Sequence, residues 1–147
     1  MATVSGGDKL RARLAEISAM ASSPATLRVG FLEGGGTYPD GTSVAMIAVI
    51  NEYGKFAQPP RPYFRNMIAA KSPEWPAAIA GLLSANGCNP VAALRQAGET
   101  IKGQLQESIS TLTSPPLAAS TIARKGFDKP LIERGIMLHS VAYEVNT

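Results

Sequence analysis

The chain has 147 residues and a mass of 15.4 kDa, the size of one domain, and a chain this long buries roughly 68–70% of its unfolded surface. It is 45% hydrophobic and 17% charged, apolar enough to fold yet less charged than the roughly 25% of an ordinary soluble domain, a balance that favours association. The net charge of +3 and pI near 9.2 are not concentrated in a basic block. No apolar run approaches the roughly 20 residues of a bilayer span, no signal-peptide pattern opens the chain, and the single Cys88 excludes an intramolecular disulfide; synthesis in the cytoplasm is the expectation.

In chain order, Leu10, Leu14, Ile17 and Ala21 recur at helical spacing and predict a helix over 5–22, with Ser5 and Asp8 as a capping box. Leu27, Val29 and Phe31 alternate with Arg28 and Gly30, the pattern of a half-buried strand. The segment 33–42 holds Gly34, Gly35, Gly36, Pro39, Asp40 and Gly41 and reads as a flexible loop. The apolar run from Val44 to Ile50 suits a buried strand or a buried helix; an N-cap at Thr42 or Ser43 and a stop at Gly54 favour the helix. Pro59, Pro60 and Pro62 make 58–63 a stiff connector. Order resumes over 64–70, and Ser72-Pro73-Glu74 starts a short helix that Asn86 and Gly87 close, with Trp75 as a packing anchor.

The clearest element spans 89–112: Asn89-Pro90 supplies cap and first-turn proline, and Leu94, Ala97, Ile101, Leu105 and Ser108 or Ile109 form one apolar stripe. The segment 113–129, with Pro115, Pro116, Gly126 and basic Arg124, Lys125 and Lys129, is too poor in large apolar residues to bury much surface alone. It is expected to become ordered on assembly. Met137, His139, Val141, Tyr143 and Val145 alternate with smaller or polar residues and predict a strand over 137–146. Together these elements predict a single α+β domain, a small antiparallel or mixed sheet packed against a long helix plus shorter helices, with extended loops.

Catalytic chemistry finds little footing. The glycine cluster after Leu32 lacks the Gly-Lys-Ser/Thr of a phosphate loop, and no Gly-x-Ser-x-Gly elbow occurs. His139 is the only histidine, which leaves an imidazole-rich metal site unsupported and suits a core or interface position. Cys88 reads as a small residue in a turn, although a Cys88–His139 dyad is formally open. Neither an enzyme nor a cofactor is expected.

Val44-Ala45-Met46-Ile47-Ala48 followed by Asn51-Glu52-Tyr53-Gly54 and Pro59-Pro60-Arg61-Pro62-Tyr63-Phe64 resembles the signature of tail-completion or neck proteins of long-tailed bacteriophages. Pro116-Leu117, Thr121-Ile122, Lys125-Gly126, Pro130-Leu131 and Gly135-Ile136-Met137-Leu138 resemble its second half. Tyr53 and Tyr63 stand where that family often has phenylalanine, and Glu133-Arg134 replace a common Asp-Thr pair. The resemblance implies a non-enzymatic virion protein of the neck, without cofactor, whose copies form a homo-oligomeric ring, taken as a hexamer. Such a ring joins the tail to the head connector around the DNA path, in contact with tail-tube, terminator or stopper proteins and with no membrane. A tail-terminator subunit is the near alternative, and a small basic DNA-binding module, acting through Arg124, Lys125 and Lys129, is the alternative of another class. The candidate interface residues are Glu52, Tyr53, Pro60, Arg61, Pro62, Tyr63, Arg124, Lys125 and Lys129, with Arg61 placed to pair with a carboxylate such as Glu52.

Overall fold

A computed structural model of the chain describes residues 5–116, 119–126 and 135–147. The long helix organises them. It runs from Pro90 to Thr111 (α5, numbered by its place in the chain), with the Asn89 side chain accepting from Ala92 N at 3.1 Å and Pro90 in its first turn. Ala93, Ala97, Gly98, Ile101, Leu105 and Ile109 are its buried residues. The predicted stripe is thus right in its second half and displaced by one position at its start, where Ala93 is buried and Leu94 is not. A helix face is set by what packs on it, and at Gly98 the Tyr143 ring and Leu27 approach too closely for any side chain.

The N-terminal helix, Gly7–Ser22 (α1), starts at a left-handed Gly6 without a side-chain cap, so the capping box predicted at Ser5 does not form. A glycine that already adopts the turn conformation sets the boundary instead. No residue of α1 is buried; Leu10 and Leu14 remain 61% and 55% exposed. Its predicted amphipathic stripe exists but faces outward, and Arg13 tethers the helix by donating to Gly87 O at 3.2 Å.

Thr26–Gly30 (β1) pairs antiparallel with Ala142–Asn146 (β2), in register Thr26↔Asn146 through Gly30↔Ala142. This two-stranded sheet lies across α5. Leu27 and Val29 turn inward, as their alternation requires, while Arg28 and Glu144 face each other across the strands at 3.3 Å. That exposed pair contributes little to stability. The glycine loop that follows is laced by hydrogen bonds: Gly35 N to Leu32 O, Tyr38 N to Thr42 O, and Thr42 N to the Asp40 carboxylate at 2.9 Å. The last of these, with further bonding to Thr42, holds the Asp40 carboxyl below its ordinary pKa.

Val44–Tyr53 is a helix (α2), the option preferred from its caps, and Gly54 N closes it on Ile50 O at 2.8 Å. Tyr63–Lys71 (α3) leads through a 3-10 turn, Ser72–Glu74, into Trp75–Ala85 (α4). Trp75 anchors that corner, its indole N–H donating to Gln104 of α5 at 3.0 Å. Gly87 and Cys88 both take positive φ after α4, and Cys88 N bonds Leu83 O at 2.8 Å, so the cysteine does fill a turn. Val44, Tyr63, Met67, Ile101, Leu105, Ile109, Met137 and Val141 form the core between α5 and the elements around it. Each large side chain of that core contributes roughly 1.5–3 kcal/mol by leaving water.

Within 113–129 lies a short helix, Ala119–Lys125 (α6). The predicted strand over 137–146 is corrected in its first half: Ile136–His139 is one turn of helix (α7), and only Ala142–Asn146 is extended. Gly135, at φ 71, starts that turn, and His139 N and Ser140 N close it on Gly135 O and Ile136 O. Met137 and Val141, read as a period of two, are buried as an i, i+4 pair, which leaves His139 exposed instead of in the core.

Candidate functional site

The residues of the Asn51-Glu52-Tyr53-Gly54 and Pro-Pro-Arg-Pro-Tyr-Phe segments meet where the end of α2 faces the start of α3. A helix end leaves four carbonyls or four amides without intrahelical partners. At the end of α2, Asn51 O accepts from Arg61 N at 2.7 Å and Glu52 O from Arg65 Nη2 at 3.1 Å. At the start of α3 the cap position is Pro62, which has no side-chain acceptor; it sits in an inverse γ-turn (φ −79°, ψ 60°) with Tyr63 N donating to Arg61 O. Glu52 supplies what Pro62 lacks. Its carboxylate accepts from Phe64 N at 2.9 Å, Arg65 N at 3.2 Å and Arg65 Nε at 2.7 Å. One buried side chain thus satisfies the positive end of the next helix and ties both helices together.

Tyr63 locks the same joint from inside. It is 1% exposed and donates its hydroxyl to Ala48 O at 3.1 Å. Burial first, then the charge of Glu52 and the nearby Tyr38, push its phenol pKa far above the ordinary tyrosine value. The folded state therefore resists Tyr63 ionisation while the unfolded chain does not, so stability is intact below about pH 10 and falls above it by up to about 1.4 kcal/mol per pH unit. Tyr63→Phe is expected to cost about 1 kcal/mol at neutral pH, from the lost hydrogen bond, and to flatten the alkaline limb of a denaturation series. An unchanged alkaline limb would assign that loss to other groups.

Outside the joint the surface is apolar. Met46, Val49 and Tyr53, at i, i+3 and i+7 on α2, are 57%, 57% and 64% exposed, and the Arg65 guanidinium lies 4.9 Å from the Tyr53 ring centre. Beside them opens a groove of about 390 Å³ lined mainly by Val29, Phe31, Leu32, Phe64 and Ile68. Between the two helices, Lys55 and Gln58 exchange backbone hydrogen bonds around a tight turn with Phe56 at its tip. Phe56 has φ 48° and is 98% exposed. Gly54 makes that turn possible: with φ 77°, a Cβ there would stand 2.7 Å from Gln58 O and 2.9 Å from Pro60 N.

Comparison of the chain with family models, curated proteins and solved structures gives no match. Its own geometry therefore has to carry the functional reading.

Of the residues singled out in the sequence, Glu52, Tyr53, Pro60, Arg61, Pro62 and Tyr63 gather at this joint. Glu52 and Tyr63 are buried in intrachain bonds; Tyr53 and Pro60 face outward. The expected Arg61–Glu52 pair does not form: Arg65, on the first turn of α3, reaches Glu52 instead. Arg61 is 6% exposed, and its Nε has no hydrogen-bond partner among the described residues. Arg124 lies exposed on α6, which ends at Lys125, and Lys129 falls outside the described residues. Arg65 and Phe56 were missed. A signal for Arg65 existed, because a cation in the first turn of a helix opposes the dipole and calls for a carboxylate. Phe56 gave none beyond its neighbouring glycine. Among the described residues no group of three or more His, Cys, Asp or Glu side chains is placed to hold a metal ion, and no helix is long and apolar enough to cross a membrane. Cys88 and His139 sit on different elements, with no hydrogen bond between them.

Proposed function

We propose that this chain is a structural assembly subunit of a long-tailed phage, a tail-completion or neck protein whose copies close into a ring at the head-proximal end of the tail. The observation that carries the reading is Phe56. A bulky side chain in left-handed backbone costs energy, of order 1–3 kcal/mol, and a chain holds one there only where the surroundings impose it. Here the imposed conformation presents a phenyl ring almost wholly to water, three residues beyond Tyr53, which ends the exposed apolar row of α2. Such a surface gains from being covered by protein. Two such uncovered surfaces on one chain, this one and the Leu10–Leu14 face of α1, suit head-to-tail contacts, the kind that close rings. The resemblance of the joint-forming segments to the neck-protein signature suggests the biological setting.

Phe56→Gly separates assembly from folding. Removing the side chain relieves the turn, so the stability of the lone subunit is expected to hold or rise by about 1 kcal/mol, roughly 2–4 °C in melting temperature, while the concentration needed for half-assembly, measured by sedimentation, rises at least about tenfold. Images of purified tails with and without the protein test the setting: a collar or plug is expected only when it is present. A wild-type chain that stays single at every concentration and ignores tails would remove the reading.

A further inference from the structure

The residue that remains unexplained by the fold is Arg61. Its backbone is fixed at both ends, N–H on Asn51 O and carbonyl on Tyr63 N, and Pro60 and Pro62 flank it. The root of the side chain is therefore preorganised. Its guanidinium carries five donors in a planar fork, and none is accepted by a described residue; Nε is wholly shielded from water as well. Burial without a counter-charge disfavours the cation and lowers its pKa. Glu52, the nearest carboxylate in sequence, is already engaged by Phe64 and Arg65.

A guanidinium this buried, with no partner among the described residues, destabilises the lone chain, and an apolar side chain of similar length would serve that fold better. We infer that Arg61 is the receptor for a side-chain carboxylate brought by a neighbouring copy of this chain, so that the site is complete only in the assembled state. The inference rests on the assembly reading above and names the contact that reading lacks. A carboxylate matches the guanidinium fork bidentately, as a phosphate also does. Recession decides between them: Arg61 is 6% exposed, so an aspartate or glutamate on its own flexible stem reaches it where a nucleic-acid backbone is held off. Tyr53, Phe56 and Pro60, within eight residues of Arg61 in sequence, are exposed and give an incoming copy apolar surface to cover.

The test compares wild type, Arg61→Met and Arg61→Lys as full-length chains, by thermal melting at a dilution where each is single and by native mass spectrometry across concentration. Met keeps the length and removes the charge, and Lys keeps the charge and removes the fork. R61M is expected to melt at or above the wild-type temperature yet to need at least about 100-fold more protein to assemble, with R61K between the two. R61M that melts lower would make Arg61 a support of the lone fold and overturn the inference. So would R61M that assembles like wild type, or that loses only salt-sensitive DNA retention, the signature of a phosphate ligand. If wild type itself never assembles, the assembly reading fails first; if wild type and R61M assemble alike, only the Arg61 assignment fails.

Discussion

Glu52→Ala is expected to lower the melting temperature by about 10 °C, the largest loss for any single side chain outside the apolar core. The alanine leaves Phe64 N and Arg65 N at the start of α3 without their acceptor, and Pro62 cannot replace it. Each hydrogen bond to a charged group is worth about 1.5–3 kcal/mol, and water entering the joint recovers part of that, so the net cost is about 3–4 kcal/mol. For a chain of this size that corresponds to about 2–4 °C per kcal/mol. The ion pair to Arg65 adds little, because the Arg65 side chain is 54% exposed and screened. Glu52→Gln retains an acceptor of the right shape and is expected to lose about half as much. Hydrogen exchange locates the effect: amides 64 and 65 lose protection first, before those of α5. Should Glu52→Ala melt within about 2 °C of wild type, the joint would have another support.

The fold was legible where a residue's fate is decided by its near neighbours. Asn89-Pro90 announces α5, Gly54 ends α2, and Leu27 and Val29 alternate because β1 has one covered face. It was misread where two periodicities fit the same residues. Met137 and Val141 satisfy a period of two and a period of four equally, and only the left-handed Gly135 selects the helical turn. The joint was half legible. The stiff proline connector and the importance of Glu52 could be read, but the partner of Glu52 could not, since Arg61 and Arg65 are both within reach of it along the chain. What separates them is direction. Position 65 lies on the first turn of α3, whose amides already converge on the carboxylate, whereas position 61 precedes the γ-turn at Pro62 and is aimed elsewhere. Exposure is the least legible property, because it depends on what fails to cover a residue: the apolar stripe of α1 has the pattern of a buried face, yet Leu10 and Leu14 stay exposed and Ile17 is only half-buried.

Gly98 is the second position where a single change is expected to act strongly, and the sign of the effect depends on a residue far away in sequence. In the middle of α5, glycine is a poor choice by itself, and alanine is better there by about 0.8–1 kcal/mol. A Cβ at Gly98, however, would stand 2.5 Å from Tyr143 Cδ2, 2.8 Å from its Cγ and 2.9 Å from Leu27 Cδ1. The Leu27 methyl is the far end of a flexible side chain and can yield. The Tyr143 ring is attached to β2, paired with Val29 across the sheet, so relieving its clash means lifting the strand from the helix. Overpacking of this kind costs about 1–3 kcal/mol, and more for a branched side chain. Gly98→Ala is therefore expected to destabilise by about 1–2 kcal/mol net and Gly98→Val by more, with faster hydrogen exchange in both strands. In a Tyr143→Ala background the obstacle is gone and only the helical preference remains, so adding Gly98→Ala is expected to stabilise by up to about 1 kcal/mol. That reversal is the deciding measurement. If Gly98→Ala stabilises the chain with Tyr143 in place, the sheet does not rest on α5 through this glycine.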